Sequence, residues 1–265
     1  MGVVRMIQAE ARVEALPALL DLATTGAREA GADESGQHDV RLAVEEVLMN
    51  IIHHGYPPGA GGPVTLQVAA APGSVTVTVL DEARPFAPER APAPDLASGW
   101  ESRPVGGLGW YLVHKLMDEV RHRPRDAQGN ELTLLKRFGP AAAPTSTNSG
   151  NQTMQIEVER RGTLAIAKVR GNIDGLTAPE LERVLGGEVT GGSANLVVAF
   201  EGVDYTSSAG LRVLLSVVKE ARSRGGDVRL AGVRENVRKV LDLSGFTGIL
   251  KLFPDVDAAA RSFAA

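Results

Sequence analysis

The chain has 265 residues, a formal net charge of −4 and no cysteine, a length that suits two domains of ordinary size, each able to bury a core. Without cysteine, disulfides and thiolate metal sites are excluded. Neither half carries the basic excess of a nucleic-acid binder: through Gly139, 13 Lys and Arg stand against 18 Asp and Glu, and beyond it 15 stand against 14. No run of 18 apolar residues occurs and Met1-Gly2-Val3-Val4-Arg5 opens no apolar leader, so a soluble, cytoplasmic protein with no membrane partner is expected.

The first informative segment is Glu45-Glu46-Val47-Leu48-Met49-Asn50-Ile51-Ile52-His53-His54-Gly55-Tyr56. Val40, Leu42, Val44, Val47, Leu48, Ile51 and Ile52 give it too many apolar positions for a surface helix. Glu46 and Asn50, four apart, fall on one helix face and need partners there, such as a nucleotide with its magnesium. An arginine paired with Glu46 and a cap made by Asn50 fit the same residues. Ser74 to Asp81 alternates β-branched residues with period two and ends on an acid. Asp81 at a strand end is placed to accept a hydrogen bond from an exocyclic amine such as adenine's, or simply to close a turn. Ala87 to Pro104 holds four prolines and reads as a lid or as an unstructured loop. Gly106-Gly107-Leu108-Gly109 then opens the amphipathic run Trp110 to Val120; glycines before a helix let amides approach phosphate oxygens, and they also suit a tight turn. A last strand is expected over Glu131 to Lys136.

Gly139-Pro140-Ala141-Ala142-Ala143-Pro144-Thr145-Ser146-Thr147-Asn148-Ser149-Gly150-Asn151-Gln152 lacks periodicity and reads as a flexible linker. The expected division is 1–139, linker 140–153, and 154–265, with no internal repeat. The second part reads as strands over Met154 to Glu159 and Thr163 to Val169, a helix from Thr177, a buried strand over Asn195 to Phe200, a helix over Leu211 to Arg222, a strand over Asp227 to Ala231, and helices over Glu235 to Leu243 and Asp255 to Phe263. The result is a small α/β domain with a mixed sheet. Ser207 and Ser208 lie where a core strand hands over to a helix. A hydroxyl there is expected to be exposed and able to take a phosphoryl group, although serine is also a good N-cap.

Through Glu46, Asn50, Asp81 and the Gly106 to Gly109 box, in that order, residues 5 to 138 resemble the GHKL ATPase fold, and within it the bacterial anti-sigma-factor serine kinases. The resemblance implies an α/β sandwich, a mixed sheet with helices on one face. It makes Asn50 the magnesium ligand, Glu46 the base that activates the acceptor hydroxyl, and Asp81 the adenine reader. Gly106, Gly107, Leu108 and Gly109 would then bind the phosphates of ATP. Met117 to Arg121 resembles the end of that family's helix. One position departs: a Gly usually follows the adenine-reading Asp by two residues, and here it is Ala83, whose methyl would lower nucleotide affinity. From about Gln155 onward, through Gly171 to Pro179 and Tyr205 to Leu211, the chain is similar to STAS domains, the anti-sigma-factor antagonists. Alignment on Gly210 puts Ser208 on the phosphorylated serine, with Ser207 the fallback in a position where relatives carry Asp, and Asp174 on an acid near that serine.

The first family phosphorylates the second, so the paired resemblances imply a partner-switching regulator: an ATP- and Mg2+-dependent serine kinase fused to its STAS substrate. Its partners would be a sigma factor or analogous target and the domains of the same or another chain, including a homodimer, and not nucleic acid. The alternative is a non-catalytic switch in which a nucleotide-poor first domain and the STAS domain compete for one protein.

Overall fold

The computed structural model describes residues 3–57, 59–85, 94, 101–102, 107–125, 129–139 and 154–263, and the chain forms two compact units. The expected lid, Ala87 to Pro104, and the expected linker, 140–153, lie outside the described residues apart from positions 94, 101 and 102.

In the first unit, strand β1 (Val3–Glu10) and helix α1 (Leu16–Glu29) precede everything anticipated from the sequence. Pro17 sits at the start of α1, where its missing N–H costs nothing. Leu16, Leu19, Leu20, Ala23 and Ala27 line the buried face at helical spacing. Helix α2 (Glu34–Asn50) opens with Asp33 accepting a hydrogen bond from the Gly36 amide at 2.8 Å. It runs on through a π-helical turn, Ile51–Gly55, which ends at the extended residue Tyr56. Strands β2 (Pro63–Ala71) and β3 (Ser74–Asp81), helix α3 (Leu108–Leu116), and strands β4 (Glu119–Pro124) and β5 (Asn130–Arg137) complete the unit.

The sheet order is β1-β2-β3-β5-β4, and all four pairings are antiparallel, so the expected mixed sheet is corrected. Parallel pairs need crossover connections that lay cover on the sheet. Here β2–β3 and β4–β5 are hairpins, and burial alternates along β2 and β3 as one-sided cover requires. Val64, Leu66, Val68, Val75, Val77, Val79 and Leu134 form the core with α1 and α2. The expected helix end over Met117 to Arg121 is corrected as well. Met117 is already extended (φ −99, ψ 145), and Val120 and Arg121 pair with Leu134 and Thr133 of β5.

A buried ion pair joins these layers. Lys136 on β5 lies 3.1 Å from Asp39 on α2 and donates at 2.6 Å to the Leu116 carbonyl that ends α3. One ammonium thus caps α3 and meets a carboxylate held among apolar residues.

The second unit has strands β6 (Gln155–Arg161) and β7 (Leu164–Arg170), helix α4 (Ala178–Thr190), strand β8 (Asn195–Gly202), helix α5 (Ser208–Ser223), strand β9 (Asp227–Ala231), helix α6 (Glu235–Leu243), strand β10 (Lys251–Phe253) and helix α7 (Val256–Arg261). Its order is β10-β9-β8-β7-β6, antiparallel only between β6 and β7, the mixed sheet anticipated for this half. The three-residue β10 is an addition to the expected pattern. Ile166, Val197 and Ala231 face α7. Leu196, Val198 and Phe200, on the opposite face of β8, are equally buried, so this sheet is covered on both sides. Arg229, inside that layer, stacks 3.6 Å from the Phe263 ring centroid and donates to Ser262, holding the end of α7. Among the described residues no helix is long and apolar enough to cross a membrane.

Replacing Lys136 by Met leaves Asp39 without its ammonium, and the first unit is expected to lose roughly 3 kcal/mol of stability. Trp110 packs against the core of this unit, so urea unfolding in a Trp100→Phe background, followed by tryptophan fluorescence, reads this unit. An unchanged midpoint would remove the pair from the stability of the fold.

Candidate functional site

Glu46 and Asn50 leave the same side of α2, four residues apart. Glu46 is 5% exposed and Glu45 1%, so two adjacent carboxylates are held inside the unit and each has interactions there. Asn50 is the last α-helical residue before the π turn, a rare widening of the helix often found at functional positions.

Asp81 ends β3 and is buried. Its Oδ1 accepts from the Ala83 amide at 2.8 Å and from Asn130 Nδ2 at 2.8 Å. Asn130 Nδ2 donates also to the Arg84 carbonyl at 3.2 Å, and His122 Nε2 stands 3.2 Å from Asn130 Oδ1. With the amide nitrogen facing two acceptors, the amide oxygen faces His122, which must donate. Both recorded bonds to the carboxylate fall on Oδ1, which fixes the direction of Oδ2.

The loop after Asp81 is docked onto the end of the π turn, residue by residue. Tyr56 Oη accepts from the Glu82 amide at 3.0 Å and donates to the Pro63 carbonyl at 2.7 Å. Burial, with the Asp81 and Glu82 carboxylates adding to it, pushes the Tyr56 phenol above its ordinary pKa, so the donated proton is kept. The Gly55 carbonyl accepts from the Arg84 amide at 3.4 Å. A Cβ on Gly55 would stand 2.9 Å from the Ala83 Cβ. The Ala83 methyl, 5% exposed, therefore packs on the Gly55 backbone, and this packing accounts for a methyl at the position where the resembling family usually has Gly.

Gly107 precedes α3 in the left-handed region, φ 86, where glycine carries no Cβ penalty. The helix opens at Leu108, earlier than the Trp110 start expected, so Gly109 lies within its first turn. Leu108 is buried and anchors that turn in the core. Gly106 lies outside the described residues.

In the second unit Ser207 is the N-cap of α5 and Ser208 its first helical residue. The expected exposure of these hydroxyls is corrected: Ser207 is 1% exposed and Ser208 6%. The preceding segment covers them, because Ile173 pairs with Thr206 as an isolated parallel bridge and its carbonyl accepts from the Ser207 amide at 2.8 Å. Asp174 follows directly. Its Oδ1 accepts from the amides of Leu176 and Thr177 at 3.0 Å each and from Thr177 Oγ1 at 3.1 Å. That acid organises the start of α4 and adjoins the serine turn through Ile173.

The structure thus joins the Asp81 loop to the segment following Asn50 through Tyr56 and holds Asp81 from β5 and β4 through Asn130 and His122; sequence reasoning missed all three. Among the described residues no group of three or more His, Asp or Glu is placed to hold a metal. A magnesium ion at Asn50 would then take most of its ligands from phosphates and water, as that ion commonly does.

Two family models match the chain: the histidine kinase-like ATPase domain over residues 9–136 and the STAS domain over residues 155–259. BtrV of Bordetella bronchiseptica, named as an anti-sigma factor antagonist, is 34% identical over 110 residues, 42% of this chain and 95% of BtrV. BtrW of the same organism, a serine/threonine-protein kinase by name, is 28% identical over 99 residues, 37% of this chain and 69% of BtrW. The crystal structure of an anti-sigma factor antagonist from Mycobacterium paratuberculosis matches at 24% identity and TM-score 0.40, over 46% of this chain and all of that one.

The Gly55–Ala83 contact gives a double-mutant test. Gly55→Ala should destabilise the first unit by about 1–3 kcal/mol, because two methyls would then compete for one space. Adding Ala83→Gly should restore most of the loss. Additive effects in urea unfolding would show that the two residues do not pack on one another.

Proposed function

Because the chain belongs to the STAS family through its second half and carries a histidine kinase-like ATPase domain in its first, we propose that it is a partner-switching regulator of transcription, an ATP-dependent serine kinase joined to its own STAS substrate. The observation that carries this reading is the buried Asp81 carboxylate, held by Ala83 and Asn130 on one oxygen, on a chain that also bears a Ser-Ser helix start. The Ala83 methyl that favoured a nucleotide-poor switch packs on Gly55, which gives it a structural role.

In this reading Asp81 accepts from the adenine amine, and Gly106, Gly107, Leu108 and Gly109 present backbone amides to the phosphates. Asn50 holds magnesium, which would neutralise phosphate charge when bound. Glu46 takes the hydroxyl proton of Ser208 as Oγ attacks the γ-phosphorus; the bond to the β,γ-bridging oxygen breaks and ADP departs with that electron pair. Positioning supplies most of the acceleration. Ser208 is buried, so transfer requires its turn to open locally, and Ser207 is the second choice of acceptor. Asp174 keeps that turn in place through Ile173.

The proposed limits are 1–139 for the kinase domain, 140–153 for the linker and 154–265 for the STAS domain. A random coil of fourteen residues spans roughly 20 Å on average, and tethers of that kind reach effective concentrations near millimolar. The other partner would be a sigma factor or an analogous protein, held by the kinase domain when the STAS domain is released, and a homodimer would permit transfer between chains.

Incubation with labelled ATP and mass spectrometry of the product test the reading; phosphate on Ser208 is expected, and no serine modified under any condition would overturn it. Glu46→Gln should abolish transfer while leaving ATP affinity within a few-fold. Full transfer in that variant removes Glu46 from the mechanism.

Asp81→Asn should weaken ATP binding by about 1.5–3 kcal/mol, as lost charge-assisted hydrogen bonds do, whereas Asn50→Ala should impair only the magnesium-dependent part. Calorimetry distinguishes them; unchanged binding in Asp81→Asn would mean that the nucleotide site lies elsewhere.

A further inference from the structure

Thr206 and Ser207 are each 1% exposed, and neither side-chain oxygen has a hydrogen-bond partner. The other buried, unpartnered side-chain atoms among the described residues are Nε of Arg41 and Arg229, in guanidinium groups that interact elsewhere. Two neutral hydroxyls left unmatched side by side are costly, since burial removes water and nothing replaces it.

Both lie at the first turn of α5. Ser207 is the N-cap, with extended backbone (φ −95, ψ 176), yet its hydroxyl accepts from none of the helix amides. Those first amides have no intrahelical acceptor either. Thr206 Oγ1 lies over the same turn, 2.5 Å from where a Cβ on Gly210 would stand. Thr206 Oγ1, the amides of Ala209 and Gly210 and the positive end of a 16-residue helix lie at one turn, and Ile173 Cγ2, also 2.5 Å from that Cβ position, closes over it. Ser208 is the next residue.

We propose that Thr206 Oγ1, Ser207 Oγ and the amides of Ala209 and Gly210 at the start of α5 form a ready-made cradle for the phosphoryl group carried by Ser208. The proposal rests on the reading of Ser208 as the acceptor. A phosphoryl group brings three acceptor oxygens and up to two negative charges. Each orphan hydroxyl then gains a partner, and the phosphorylated STAS domain holds its charge within its own helix start. Where relatives have Asp at the position of Ser207, a carboxylate would face the same group; here a hydroxyl donates to it. The charged groups on the two segments that meet at this turn are already engaged: Asp174 by Leu176 and Thr177, and Asp204 by Arg234.

The test uses the full chain with phosphoserine encoded at position 208 during synthesis, so that it does not depend on kinase activity. Phosphorus NMR titration should give a second phosphate pKa below the ordinary value of about 6, because donors favour the dianion. Ser207→Ala and Thr206→Val should each move it back toward that value, and Ser207→Asp should lift it higher. Thr206→Val without phosphate should melt no lower than the parent, since it removes an unmatched hydroxyl and keeps the shape. A phosphoserine pKa that is the same in the parent, Ser207→Ala and Thr206→Val overturns the cradle. A low parental pKa that these variants raise, in a chain that never labels itself with ATP, would uphold the cradle and sink the kinase reading alone.

Discussion

Burying charge on a helix that is enclosed on nearly every side is the constraint on which the first unit depends. Asp39, Glu45 and Glu46 are all buried on α2, among Val40, Val44, Val47 and Leu48. An isolated carboxylate in such surroundings is untenable, so each must be matched. Asp39 is matched by Lys136, and that single pairing also closes α3 at Leu116. The helix that presents Glu46 and Asn50 and the helix that follows Gly107 are therefore held to each other through a lysine on β5. The sheet, α2 and α3 share one electrostatic joint.

The second unit meets the opposite problem. Its sheet is covered on both faces and its central strand β8 is a nearly continuous apolar run, so polar groups collect where strands give way to helices. Asp174 is fully engaged at the start of α4, whereas Thr206 and Ser207 at the start of α5 are not. Two helix starts, joined by the Ile173 to Thr206 bridge, thus differ sharply in how complete their hydrogen bonding is. The incomplete one carries Ser208, the proposed phosphate acceptor.

What could be read from the sequence was what repeats locally. The alternation from Ser74 to Asp81, the four-residue step from Glu46 to Asn50, and the helix from Glu235 to Leu243 each express a period within a few residues. The α1 pattern, with Leu16, Leu19, Leu20 and Ala23, carries the same kind of signal and was there to be taken. β4 was not: Glu-Val-Arg-His-Arg-Pro has one large apolar residue and follows an amphipathic helix, and only pairing with β5 makes it a strand. Tyr56 and Asn130 escaped notice because their partners lie 26 and 49 residues away, beyond the reach of any periodicity. Likewise nothing in Ser207-Ser208 announces burial, which comes from Ile173, more than thirty positions earlier.

The π turn at Ile51–Gly55 acts as a phase shifter. A wide turn amounts to an α-helix with one residue inserted, and one residue is about 100° of rotation. Residues before and after it therefore keep different headings along one unbroken segment. Asn50 stays in register with Glu46, while Gly55 and Tyr56 are swung to meet Glu82, Ala83 and Arg84. A chain shortened by one residue here would keep its helix and lose that second heading, so the length of this stretch carries as much information as its composition.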